Sequence, residues 1–193
     1  MIFTLAALVG LVAGMIRAKM KANTYFPIEL KYSWMILLAF VPQWLVFLLP
    51  ATRELVPNTW IPFILISTQL ILLVFVWLNR RQPCIWLLGL GLMFNFFAIC
   101  SNNGWMPISP DVLQRLQVPQ SAWQLWERRG FSKDMVIPVE NTKLWILSDI
   151  LSLNLYSRFK IAFSIGDILI AGGIFAYFWS SGGSKTLTKE YQS

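Results

Sequence analysis

The chain has no histidine, two cysteines and few charged residues, 13% of its 193 positions. Each scarcity excludes something. Without histidine, the commonest metal ligand and the usual general base are missing. That argues against zinc, histidine-ligated haem and iron–sulfur clusters, and it makes a Cys–His nucleophile pair impossible. Cys84 and Cys100 fall at opposite ends of one expected helix, roughly 24 Å apart at ~1.5 Å rise per residue, too far to pair or to share a metal. No metal and no cofactor is therefore expected. The shortage of charge says the most. A chain that is 56% hydrophobic with a mean hydropathy of +0.59 lacks the polar surface of a soluble domain and belongs to the integral membrane class.

The net charge of +7 would favour nucleic acid if it were clustered. It sits instead at the ends of apolar runs, where it acts as a topology signal, so no nucleic-acid partner is expected and the lipid bilayer is the first partner. The apolar runs predict an all-α, polytopic membrane helical bundle forming a single domain. Its five transmembrane helices lie at about 1–16, 32–49, 60–78, 84–100 and 161–179, with a long outer loop at 101–160 and a cytoplasmic tail at 180–193. The first run has no preceding positive charge and is followed by Arg17, Lys19 and Lys21, the order of a retained helix with its N-terminus outside. Its Gly10 and Gly14 form a G-x-x-x-G close-packing face. Pro42 inside the second run predicts a kink. Arg17, Lys19, Lys21, Lys31, Arg80, Arg81, Lys185 and Lys189 then fall inside, and the short outer turn holds only Arg53. Trp34, Trp60, Trp77, Trp86, Trp105 and Trp179 fall near span ends as an interfacial belt.

The outer loop predicts three short interfacial helices. Ser109-Pro110-Asp111 reads as an N-cap, a first-turn proline and a first-turn acid, giving a helix over 110–117. A second is expected over 121–129, with Trp123 and Trp126 on one face, and a third over 142–153 with Leu144, Leu147 and Leu151 on one stripe.

Threaded this way, four spans carry polar residues at similar depth: Gln43, Gln69, Asn95 and Asp167, roughly 8–14 Å inside the outer boundary. Taken singly, the amides Gln43, Gln69 and Asn95 read as helix-to-helix hydrogen bonds. An intramembrane acid is costly and marks a site, so Asp167 is the centre of a small polar cavity roofed by the loop. Asn95, Asn102 and Asn103 are its expected amide contacts. Ser148-Asp149-Ile150-Leu151 echoes Gly166-Asp167-Ile168-Leu169, which adds Asp149, a residue that alternatively pairs with Arg158 or Lys160. Asn102-Asn103-Gly104 also reads simply as the turn that ends the fourth span.

Asn102-Asn103-Gly104-Trp105-Met106-Pro107-Ile108, followed by Ser164-Ile165-Gly166-Asp167 before a final apolar helix, resembles a family of small bacterial multi-pass membrane proteins known as a domain of unknown function. The resemblance covers most of the chain. It implies a bacterial inner-membrane protein of about this size and supplies no activity. Three functions compete. The first is a binding or accessory subunit of a larger membrane complex, favoured by the loop tryptophans and the lack of catalytic residue types. The second is a small ion- or proton-coupled transporter using Asp167, for which five spans without an inverted repeat make a poor scaffold. The third is an intramembrane lipid-acting enzyme with Asp149 and Asp167 as acid and base, for which no nucleophile motif or phosphate loop is present.

Overall fold

The computed structural model describes residues 2–155 and 159–183. Five long helices dominate it: α1 (Ile2–Met20), α2 (Trp34–Phe47), α4 (Ile61–Leu78), α5 (Pro83–Ser101) and α7 (Ile165–Ser181), with a single turn, α3 (Pro50–Arg53), after α2. Apolar runs make them, with Asp167 at the start of α7 as their one acid, and proline opens α4 and α5, where the missing N–H costs no hydrogen bond. Pro42 lies inside α2 as expected. Among the described residues, α1, α5 and the stretch Asn58–Leu78 are long and apolar enough to cross a membrane. The apolar α2 and α7 are shorter, at 14 and 17 residues. Leu8, Val12, Leu37, Phe63, Trp77 and Trp86 all point outward from the bundle, the reverse of a soluble surface.

Close contacts fix the helix directions. Gly10 abuts Phe175 and Gly14 abuts Phe178, so α1 runs parallel to α7, and the G-x-x-x-G face is the contact surface. Gly91 meets Gly166 while Leu88 meets Gly173, so α5 runs antiparallel to α7. Val76 against Gly89 and Pro62 against Gly104 set α4 antiparallel to α5. Gln43 bonded to Thr68, and Lys31 to Asn79, set α2 antiparallel to α4. The five helices thus alternate in direction.

The expected loop, 101–160, is a compact cap rather than three surface helices. Its first helix is real: α6 (Pro110–Arg115) starts at Ser109, whose side chain caps Val112 N–H. The second is not. Trp123 is extended at φ −155° and buried among Ile108, Val112, Leu113, Leu116 and Val136, while Trp126 sits at φ +64° and is 56% exposed. Backbone N–H groups over 126–129 pair with β2 (Asp134–Val136) in place of a helical turn, for example Trp126 N–H to Val136 O and Arg129 N–H to Asp134 O. Burial of one tryptophan in the cap core overrides the three-residue spacing. The third helix also fails: Leu144 is left-handed at φ +51°, and the chain continues as β3 (Leu151–Leu155). That strand pairs antiparallel with β4 (Phe159–Phe163), so the last helix begins at Ile165 and not at Ile161. Arg158, Lys185 and Lys189 lie outside the described residues.

A buried charged cluster under the cap

The strand β1 (Met106–Ile108) is the spine of the cap. The turn before it needs left-handed backbone, supplied by Asn103 at φ +55° and Gly104 at φ +84°; Gly104 also abuts Pro62 at the start of α4. On one side β1 pairs parallel with β2, opposing Met106 to Asp134, and Met106 N–H donates to Lys133 O. On its other side Pro107 O accepts from Asp149 N–H. Two cap segments carrying opposite charges are therefore brought to one strand by its backbone. Met106, Pro107 and Ile108 are fully buried, so this register is held by packing as well as by hydrogen bonds.

Lys133 Nζ reaches Asp149 Oδ2 at 3.1 Å. Asp149 is 1% exposed, and its Oδ1 is buried with no hydrogen-bond partner among the described residues. Beside this pair, Arg129 meets Asp134 at 3.4 Å, and Asp134 Oδ1 is likewise buried without a partner. Asp167 lies near enough to act on the charge of both Lys133 and Asp149. Three carboxyl groups, Asp134, Asp149 and Asp167, thus gather with Lys133 and Arg129, and Arg128 also acts on Asp134. Burial lifts the Asp149 carboxyl, Lys133 pulls it down, and Asp134 and Asp167 lift it again, leaving it pushed up to about 7. Burial pulls the Lys133 ammonium down, but Asp149, Asp167 and Asp134 outweigh it and hold this lysine above its ordinary value. At neutral pH Lys133 is charged, and Asp149 is the carboxyl poised to take up a proton.

Asp167 is placed differently. Ser164 caps α7 by accepting from Asp167 N–H at 3.0 Å, and Asp167 Oδ2 accepts from Ser164 N–H at 3.3 Å, a complete capping box. Asn95 Nδ2 donates to Asp167 Oδ1 at 2.8 Å, and Ser164 Oγ donates to Asn95 Oδ1 at 2.8 Å. Gly166 lets the Asn95 amide sit against the first turn of α7. Both oxygens of the Asp167 carboxylate are thus engaged.

Of the residues singled out from sequence, the structure brings Asn95 and Asp167 into direct contact and sets Asp149 beside them. Asn102 goes elsewhere: its Nδ2 donates to Ala98 O and Lys143 O, and its Oδ1 accepts from Lys143 N–H, fastening the cap to the end of α5. Asn103 is an exposed turn residue. Asp149 is paired with Lys133, while Lys160 donates to Gln117 O. Gln43 bonds Thr68 at 2.7 Å, and Gln69 is buried with its Oε1 unpartnered among the described residues. Sequence reasoning missed Lys133 and Asp134, and it quoted Ser164 in a motif without giving it a role. The S-x-x-D spacing at 164–167 was a legible capping signal. Lys133 had none, because its partner is supplied by the tertiary pairing around β1.

Beside the cluster a groove of about 790 Å³ opens between α2 and the cap. Phe40, Trp44 and Phe47 form its apolar wall, and Arg129, Phe131 and Lys133 close its cap side. Arg128 braces this edge. Its guanidinium donates to Ser132 O, Phe131 O and Asn58 Oδ1 and lies 5.5 Å from the centre of the Phe47 ring. Among the described residues no group of histidine, cysteine, aspartate and glutamate side chains is arranged to hold a metal ion.

The chain is similar to an uncharacterised protein of Thermotoga maritima, 27% identical over 177 residues, which span 92% of this chain and 88% of the relative. No solved structure matches it. Residues 27–179, which include the β1 spine, the charged cluster and almost all of α7, match the family of unknown function DUF5317. That match runs through most of the chain, and the protein belongs to the DUF5317 family.

Proposed function

We propose that the protein is an integral membrane binding or accessory protein. It crosses the plasma (inner) membrane five times, with the N-terminus and the cap outside and the C-terminus cytoplasmic, and it engages its ligand or a larger membrane complex through the groove between α2 and the cap. The threading is supported by Arg17, Lys19, Lys21, Lys31, Arg80 and Arg81, which follow or precede apolar helices at the ends remote from the cap. The binding reading is carried by one observation. A preformed concavity of about 790 Å³ combines an aromatic wall with charged residues at one edge, the form of a binding site. Extraction of the full chain from native membranes in polymer discs tests it. A companion molecule, protein or amphiphile, in near-stoichiometric amount is the expected outcome. A chain recovered with only bulk lipid in bulk proportions would refute the reading.

Proton handling is the second reading. It is favoured by the unpartnered Asp149 Oδ1 and by the neighbouring Asp134 and Asp167, and it moves the titrating role from Asp167 to Asp149. Asp149→Asn should then abolish any phenotype that the folded Asp167→Asn variant retains.

A further inference from the structure

Resting on the binding reading above, we propose that the groove between α2 and the cap takes a lipid with an anionic phosphate headgroup, the phosphate held at Lys133 and Arg129 and an acyl chain laid along α2. The two ion pairs at the cap edge are oriented unequally. Lys133 and Arg129 line the groove, with side chains 34% and 25% exposed, while the Asp149 and Asp134 side chains behind them are 1% and 8% exposed. The carboxylates hold the cations in place, and both basic residues line the cavity. A guanidinium and an ammonium on one cavity edge offer donors to the oxygens of a phosphate. Ser132, which also lines the groove, sits between them in sequence.

The wall fits the other half of such a molecule. From Phe40 to Leu48 the groove follows about 12 Å of helix at ~1.5 Å per residue. Phe40, Val41, Trp44 and Leu48 on this wall are each close to half exposed or more. The cavity is therefore polar at the cap and apolar along α2. A soluble anion would leave the apolar wall bare, and a lipid without an anionic headgroup would bring no acceptor to the two basic side chains at the cap edge. Arg128, bonded to cap carbonyls and Asn58, serves as a brace and leaves the headgroup to its two neighbours.

Native mass spectrometry of the full chain in mild detergent, titrated with phosphatidylglycerol, phosphatidylcholine or inorganic phosphate, tests the assignment. Phosphatidylglycerol should bind at least tenfold more tightly than phosphatidylcholine, and inorganic phosphate should neither bind measurably nor compete at equal concentration. Arg129→Gln should cut the preference about fivefold, the usual effect of one cation at a membrane surface. Because Lys133→Gln alone would strand Asp149, the paired variant Lys133→Gln/Asp149→Asn is used, and it should lower the preference by a similar factor. Trp44→Ala should weaken both lipids and leave their ratio intact. Equal binding of the two lipids, or an unchanged preference in folded Arg129→Gln and Lys133→Gln/Asp149→Asn proteins, would overturn the lipid site. Inorganic phosphate binding as tightly as phosphatidylglycerol would also overturn it, since the site would then be one for a soluble anion. If a protein companion copurifies while the two lipids bind alike, the binding reading stands and the lipid assignment fails. Recovery with no companion and no lipid preference removes both.

Discussion

Replacing Lys133 by methionine tests the cluster most directly. The stem keeps much of its volume, and the ammonium facing Asp149 at 3.1 Å is lost. Asp149 is then a fully buried carboxyl with one oxygen already unpartnered and with Asp134 and Asp167 nearby. Removing one member of a buried pair typically costs about 3–5 kcal/mol. For a chain of this length that corresponds to roughly 6–20 °C in apparent Tm. The loss must depend on pH. The folded Asp149 carboxyl is pushed up to about 7, well above the ordinary carboxylate value. Its stabilising contribution is therefore complete below the ordinary carboxylate range and is lost as pH rises through about 7. Each pH unit within that window is worth up to about 1.4 kcal/mol. Without Lys133 the carboxyl rises further, and protonation rescues the variant on the acid side. Thermal unfolding in detergent, in a background lacking the exposed Cys100 and followed by a thiol-reactive dye that reports exposure of the buried Cys84, should show a large deficit at pH 8 that at least halves at pH 5.5. The Lys133→Met/Asp149→Leu double variant should recover most of the stability at both pH values. An equal deficit at the two pH values, or one below about 1 kcal/mol, would refute the buried-pair argument.

Asp167→Asn should fold with a loss of about 1 kcal/mol, since an amide can still serve the cap of α7 and meet Asn95, whereas Asp167→Leu strands the Asn95 amide and should lose about 1–3 kcal/mol. A fully stable Asp167→Leu protein in the same dye assay would show that the capping box contributes nothing. Asn102→Ala removes two hydrogen bonds between α5 and the Lys143 segment, so limited proteolysis in intact membranes should cut the cap markedly faster while the helices stay protected. Unchanged cleavage would mean that the fastening is redundant. Gln124→Cys, on an exposed stretch of the cap and in a background lacking Cys84 and Cys100, should label from outside intact cells. Labelling only after permeabilisation would invert the proposed threading.

The sequence by itself determined the helical class, five apolar helices and most of their bounds, because a long apolar run has one stable backbone solution away from water. It also marked the organising stretch: Asn102 to Pro110 does join the bundle to the cap, although through the β1 backbone and the Asn102 fastening and not through amide contacts to Asp167. The 164–167 motif carried its own local meaning as a helix cap. The strands were less legible. The alternation of Leu151 and Leu153 with Ser152 and Asn154 competed with an equally good helical stripe through Leu144, Leu147 and Leu151, and only pairing with Phe159–Phe163 decided between them. The tertiary structure alone decided the site. Lys133 and Asp149 are sixteen residues apart and neither carries a local signal. They meet because Met106 and Pro107 draw their segments to opposite sides of one buried strand, and the charge that forms there is a property of that pairing.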